Sequence, residues 1–290
     1  MKYSLILVSE QCSEEKVSSL VSSLDSRGIQ FNQNATYSES GNRAELPFSS
    51  EASQFELKEI LRSELSGKPL DGFILEEGHS LAPQLLIMDM DSTLVQAETI
   101  DQIADHVGRM AEVSAITESA MRGELDFTQS LTKRVAMLEG LEKSQLDQVH
   151  DALPLTSGAE NLITAANAND CLTVLVSGGF TYFAQPLADK IGIDKVYANV
   201  LEFADNRLTG RVVGTIVDAE FKQMTLNRII KVRSFDRQRT IAIGDGANDL
   251  LMLGDAGIGI AFHGKPKVQE QAQSVINQAG LEALQWLLDW

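Results

Sequence analysis

Residues 85–94, LLIMDMDSTL, put two aspartates at the end of an apolar run. Leu85 to Met88 read as a buried strand, because a short continuous apolar run bounded by turn residues needs cover on both sides. Asp89 and Asp91 follow at once, two positions apart, and Ser92 and Thr93 come next. A carboxylate at the edge of a core is costly unless something compensates it. Two later strands end in a comparable way. CLTVLV (171–176) runs into Ser177, Gly178 and Gly179, and TIAIG (240–244) runs into Asp245, Gly246, Asn248 and Asp249. Asp, Ser and Gly favour turns in general. Three strand ends that carry carboxylates, a hydroxyl and glycines together ask for more than turn chemistry.

The chain outward from this stretch alternates strands with helical patterns. QLLIMD, CLTVLVSGG, KVYAN, RTIAIGDG and IGIAF read as strands, and LEFADNRLTGRVVG reads as a hairpin. GAENLITAANAN, TYFAQPLADKIG, EFKQMTLNRIIKV and NDLLMLGDAG read as helices. This is the pattern of an α/β fold with a doubly wound, mostly parallel sheet. Residues 98 to about 153 have helical apolar spacing throughout, with Gly closing three segments, and are expected to form a helical insertion after the first strand of that sheet. In LPLTSGAENL, Thr156 or Ser157 is the expected cap of the next helix. Residues 1–80 read as a separate β-α-β-β-α-β unit, the order of a small ferredoxin-like sandwich. The boundary is expected in EEGHSLAPQ, so that the second domain covers 84–290.

Composition narrows the function. The 290 residues are 43% hydrophobic and 6% aromatic, enough for a large and mainly aliphatic core. A formal net charge of −17 argues against nucleic acid and against an anionic membrane surface as partners. No apolar stretch approaches the length of a membrane span. MKYSLILVSEQCSEEK reads as a first strand followed by acidic residues, not as a secretory signal. A cytoplasmic protein is the expectation. Cys12 and Cys171 form no disulfide framework, and Cys171, at the start of an apolar run, reads as a core thiol.

Ligands of doubly wound sheets bind beyond the carboxyl ends of the strands. Asp89, Asp91, Asp245 and Asp249 would repel one another there unless a hard cation joined them, and an all-oxygen ligand set of this kind suits Mg²⁺. Such a cation can also take a phosphate oxygen. The glycines allow backbone N–H groups to approach an anion. A carboxylate can serve as the nucleophile toward phosphorus. Lys222, at the start of a helix, is an ordinary surface lysine by itself, but in this constellation it is expected to face a phosphate.

DMDST, SGGF, FK and GDGANDLLML, in this order, resemble the haloacid dehalogenase superfamily of aspartate-nucleophile phosphatases, over about Leu85 to His263. The resemblance implies a Rossmann-like core with a helical cap, and an ACT-like fold for the N-terminal unit. It implies Asp89 as nucleophile and Asp91 as the acid that protonates the leaving oxygen and then activates water. One Mg²⁺ would be held by the Asp89 side chain, the Asp91 carbonyl and Asp245. Ser177, the Gly178 N–H and Lys222 would hold the phosphate, with Asn248 and Asp249 in support. The cap would read the substrate. Arg134 would grip a carboxylate, Glu98 would pair with an ammonium, and Met121 and Phe127 would cover the site.

These residues imply hydrolysis of O-phospho-L-serine to serine and phosphate, the closing step of serine biosynthesis. Phosphoryl transfer from another small phosphomonoester is the alternative within the superfamily. Met90 stands where many relatives have Phe, and VSEQCSEEK lacks the loop glycine common in ACT-like units. Two roles therefore stay open for residues 1–80, an amino-acid-sensing one and a structural or homodimerising one. A phosphorylated receiver module is a further reading, disfavoured by the chain's length and by its second aspartate.

Overall fold

The computed structural model describes residues 1–31 and 33–290. The first half opens with β1 (Lys2–Val8), α1 (Glu14–Ser26), β2 (Thr36–Tyr37), β3 (Arg43–Ser49), α2 (Gln54–Leu65) and β4 (Asp71–Glu76). Ser13 caps α1 by accepting from Lys16 N, and Ser53 forms a reciprocal capping box with Glu56 at the start of α2. The strands lie in the order β2-β3-β1-β4, with antiparallel pairing throughout. The strand expected over IQFNQNATYS shrinks to Thr36–Tyr37 plus one bridge from Phe31 to Phe48. Asn32 lies outside the described residues.

β1 explains its own unbroken apolar run. Tyr3, Leu5 and Leu7 pack under α1 and α2 with Leu20, Leu24, Leu57 and Leu61. Ile6 and Val8 point the other way and join the main core with Phe73 and Leu75. Both faces of the strand are covered, so alternation with polar residues is absent.

The remainder contains β5 (Leu85–Met88), α3 (Thr99–His106), α4 (Met110–Met121), α5 (Phe127–Ala136), α6 (Lys143–Ala152), α7 (Ala159–Ala168), β6 (Leu172–Phe180), α8 (Thr181–Ile191), β7 (Lys195–Ala204), β8 (Arg207–Val213), α9 (Ala219–Arg233), β9 (Thr240–Gly244), α10 (Leu250–Asp255), β10 (Ile258–Phe262), α11 (Pro266–Gln271), β11 (Ser274–Ile276) and α12 (Glu282–Leu288). The strand order is β11-β10-β9-β5-β6-β7-β8, parallel except for the final β7–β8 hairpin. Asp205 and Asn206 turn that hairpin, both at positive φ, as a two-residue turn of matching twist requires. β5 sits at the centre. Leu86 and Met88 face the layer of α7, α8 and α12, and Leu85 and Ile87 face the layer of α9, α10 and α11. Helices α3 to α6 form the insertion between β5 and α7.

Three features depart from the sequence-based expectation. KVYAN is the first half of a ten-residue strand. Neither Thr156 nor Ser157 caps α7: Gly158 occupies the cap at φ +77°, where a Cβ would lie 2.3 Å from Glu282 N. The Thr156 hydroxyl instead donates to Thr93 O at 2.6 Å, tying α7 to the loop after β5. Last, α11, β11 and α12 follow the IGIAF strand and were not anticipated.

β11 joins the two halves. Val275 pairs antiparallel with Gly72 of β4, which makes one mixed sheet of 11 strands. The Asp71 carboxylate accepts N–H groups from Asn277, Gln278 and Ala279 at 2.7 to 3.2 Å. Lys58 of α2 donates to the carbonyls of Glu270 and Ala272 at 2.6 and 2.7 Å.

Candidate active site

The ladder continues one residue past β5. Asp89 N donates to Ile243 O at 3.0 Å, so the Asp89 backbone has no freedom of its own. One side-chain oxygen, Oδ1, accepts from Met90 N at 2.7 Å, and the other, Oδ2, lies 2.7 Å from Lys222 Nζ. Lys222 is fully buried in the first turns of α9, and its ammonium also donates to Asp249 Oδ1 at 2.7 Å. Burial alone would push this lysine down, but Asp249 and Asp89 outweigh it and hold it above its ordinary pKa. The surface reading of Lys222 is thereby excluded.

The chain then reverses. Ser92 takes the left-handed conformation at φ +55°, and Val95 N returns to Met90 O. This turn brings Asp91 back over the strand end, where Oδ1 accepts from Thr99 N at 3.0 Å. Its Oδ2 lies 2.6 Å from the position a Cβ on Gly179 would occupy, so the second glycine of SGG is needed for close approach. Burial, Glu98 and Asp89 raise the Asp91 pKa well above the carboxylate range. A carboxyl that keeps its proton beside an ionised neighbour is suited to act as an acid.

β6 supplies the opposite wall. The Ser177 hydroxyl oxygen accepts from Gly179 N at 2.8 Å, which leaves its proton free to donate. Asn199 holds the Gly178 carbonyl at 2.8 Å and fixes the loop before α9 through Val217 N at 2.9 Å. After β9, a single 3₁₀ turn presents Asp245, Asn248 and Asp249. Asp249 Oδ2 accepts from Gly246 N at 3.0 Å, so both of its oxygens are engaged.

Asp89, Asp245 and Asp249 offer oxygens within 4.8 Å of one another. Burial and the neighbouring carboxylates raise both Asp245 and Asp249 to about 7. This crowding of hard oxygen donors fits a divalent cation such as Mg²⁺. Since both Asp249 oxygens are already bonded, Asp89 and Asp245 are the better-placed side-chain ligands.

The helical insertion closes the other side. A cavity of about 680 Å³ is lined by Asp89, Asp91, Glu98, Arg134, Gly178 and Asp245, among others. Met121, Phe127 and Asn248 line it as well. Arg134 Nε is buried without a hydrogen-bond partner. Burial depresses this guanidinium, while Asp101, Glu98 and Asp91 oppose the effect. Glu98 lies at the mouth and accepts from Ser92 Oγ at 3.0 Å. Its pKa is raised by lost hydration, and Asp89 and Asp101 add to the rise. The Phe127 ring stacks over Gly178, 3.0 Å from where a Cβ would be, whereas Met121 remains 71% exposed at the rim.

Several lining residues went unread in the sequence. Ser130 is one helical turn before Arg134 and shares its face, a spacing that could have pointed to it. Asp101 and Lys265 also line the cavity. Lys265 carried no signal except its place between Gly264 and Pro266.

A family model of haloacid dehalogenase-like hydrolases matches residues 86–254. The chain belongs to this family. Within the haloacid dehalogenase-like hydrolases it is similar to a phosphoserine phosphatase of Haemophilus influenzae, 52% identical over 204 residues, which are 70% of this chain and 65% of that one. It is also similar to a phosphoserine phosphatase of Idiomarina loihiensis, 49% identical over 197 residues, 68% of this chain and 90% of that one. This chain thus spans somewhat less than two thirds of the first relative and most of the second. The crystal structure of a HAD family hydrolase from Salmonella enterica serovar Typhi superposes with a TM-score of 0.88 at 30% identity, over 99% of this chain and 98% of that one. That superposition includes the N-terminal unit. No helix is long and apolar enough to cross a membrane among the described residues.

Proposed function

We propose that this haloacid dehalogenase-like hydrolase removes phosphate from O-phospho-L-serine, releasing L-serine, as in the closing step of serine biosynthesis. The observation that carries the proposal is one cavity with two kinds of wall: Asp89, Asp91 and Gly178 on the sheet side, and Arg134 and Glu98 on the cap side. A phosphate at the first wall leaves room for a carboxylate and an ammonium at the second.

Asp89 attacks phosphorus and the bond to the serine oxygen breaks, leaving an aspartyl-phosphate on Asp89. Asp91 passes its proton to the departing serine oxygen. Water then attacks the aspartyl-phosphate, Asp91 takes the water's proton, and phosphate leaves with Asp89 restored. Lys222, the Ser177 hydroxyl and the Gly178 N–H hold the phosphate oxygens on which charge develops. Asn248 supports the phosphate, and Asp249 holds Lys222 in place. Mg²⁺, held by Asp89, Asp245 and the Asp91 carbonyl, would offset the charge between carboxylates and phosphate. Arg134 grips the serine carboxylate with its planar fork, Glu98 pairs with the ammonium, and Phe127 and Met121 bound the space between.

The strand order β2-β3-β1-β4 supports reading residues 1–80 as a ferredoxin-like, ACT-like domain beside a phosphatase domain of residues 84–290 with its cap at 98–153. Two free cysteines suit a reducing, cytoplasmic setting. Homodimerisation through the N-terminal domain is part of the same proposal.

The test is phosphate release from phosphoserine and a panel of other phosphomonoesters, with and without chelator. Phosphoserine should lead the panel in kcat/KM, and chelator should abolish turnover. Equal turnover across the panel would remove the substrate assignment, and turnover in excess chelator would remove the metal.

A further inference from the structure

The cavity holds a cation to which the scheme above gives no role. Lys265 lines it together with Asp89, Glu98 and Asp245. Lys222 is buried between two carboxylates at 2.7 Å, whereas Lys265 is exposed and pairs with no carboxylate among the described residues. An unpaired lysine on an open surface is ordinary. This one is held at the mouth of an acidic pocket by a constructed turn.

β10 ends at Phe262, and His263 adopts the left-handed conformation at φ +46°. His263 N donates to Ile276 O at 2.8 Å, and its ring Nε2 lies 3.0 Å from Ala279 O. Gly264 then passes so near the Asp245 carbonyl that a Cβ there would come within 3.3 Å. Lys265 N donates to that same carbonyl at 3.3 Å, and Pro266 starts α11 immediately after. The Lys265 backbone is therefore braced against the loop that carries Asp245, and its stem extends along the cavity wall. Its charge is felt at Glu98 and Asp245, where it opposes their upward pKa displacement.

The need for such a charge follows from the surroundings. The cavity walls carry Asp89, Asp91, Glu98, Asp101 and Asp245 against Arg134 and Lys265, in a chain of net charge −17. A phosphate dianion meets repulsion before it reaches the buried Lys222. Fields focused in a cleft change encounter rates strongly and depend on ionic strength.

We infer that Lys265 is the capture residue of this site, an exposed cation at the cavity mouth that draws the phosphate dianion past the carboxylates toward Lys222. The inference rests on the phosphomonoesterase reading above, but not on the choice of phosphoserine.

The test uses the full chain with Mg²⁺, phosphoserine and p-nitrophenyl phosphate as substrates, and a series of ionic strengths. At low salt, Lys265→Ala should lower kcat/KM about five- to tenfold for both substrates, with kcat little changed. The deficit should shrink as salt rises, Lys265→Arg should restore the wild-type value, and Lys265→Glu should lower it further. Inorganic phosphate binding, followed by calorimetry, should weaken in the same order and needs no turnover. An unchanged kcat/KM, a loss confined to kcat, or a loss that persists at high salt would overturn the assignment. A wild type inactive on phosphoserine but active on p-nitrophenyl phosphate would overturn the substrate reading alone, leaving the Lys265 comparison intact.

Discussion

Lys222 Nζ lies 2.7 Å from Asp89 Oδ2 with both side chains out of solvent. The pair joins the start of α9 to the end of β5, and Asp249 completes it from the far side at 2.7 Å. Removing the lysine strands two buried carboxylates. Lys222→Met should cost about 3–5 kcal/mol of stability in the metal-free chain, and should lower kcat by about a thousandfold. Chemical denaturation and steady-state kinetics check both parts. An unchanged denaturation midpoint would show that the pair is relaxed by water.

Asp89→Asn and Asp91→Asn should fail at different steps. The first removes the nucleophile, so no phosphoenzyme forms with any substrate. The second removes the proton donor, which a leaving group as good as p-nitrophenolate does not need. With p-nitrophenyl phosphate, Asp91→Asn should give a burst of nitrophenolate and then stall as the aspartyl-phosphate accumulates. Rapid quench followed by mass spectrometry of the Asp89 peptide decides it. Identical silence in both variants would contradict the division of labour.

The acidic cluster makes metal-free stability depend on pH. Asp245 and Asp249 are raised from 3.8 to about 7, by burial first and then by neighbouring charge. A folded-state pKa above the unfolded one means that the folded state holds the proton more tightly. The resulting stabilisation is complete below the unfolded value and is lost as pH rises through about 7. The metal-free melting temperature should therefore fall between about pH 5 and about pH 8. Saturating Mg²⁺ should flatten that slope, because a cation replaces the protons. A metal-free curve that is flat across this window would mean that the carboxylates do not share charge as their geometry implies.

Arg134 offers a buried Nε with no partner in the protein. Arg134→Ala should reduce kcat/KM for phosphoserine about ten- to a hundredfold, the range of a charge-assisted hydrogen bond. p-Nitrophenyl phosphate, which has no carboxylate, should lose little. Equal losses on the two substrates would indicate that the arginine shapes the cap instead of reading the substrate.

Asp71 is the joint between the halves. Burial raises its pKa, and the N–H groups of Asn277, Gln278 and Ala279 act against that rise. Asp71→Ala leaves those donors without their acceptor and should cost about 2–4 kcal/mol. Proteolysis should quicken in the irregular stretch 77–84, while KM for phosphoserine stays near wild type. Loss of activity with unchanged proteolysis would instead link Asp71 to the site.

The order of strands and helices from β5 to β10, and the strand ends that carry the acidic groups, were legible because each is local. A buried strand announces itself by an unbroken apolar run, and turn chemistry marks where it stops. The same locality hid other things. SVI (274–276) is three residues long and has no periodicity, yet it is the strand that joins both halves into one sheet. Thr156 looks like a cap, but its hydroxyl is drawn across to Thr93, a partner remote in sequence.

The sequence by itself determined the residue types of the reaction centre and their positions at the ends of three strands, since hard oxygen donors, glycines and a lysine in that order admit few chemistries. The tertiary structure decided the rest. It put Lys222 in the core between Asp89 and Asp249, turned Arg134 and Glu98 of the insertion toward Asp91, and braced Lys265 at the cavity mouth. Those placements come from packing between elements far apart in the chain. Burial then gives each charge its effect, because an ammonium or carboxylate removed from water is governed by its few neighbours instead of by solvent.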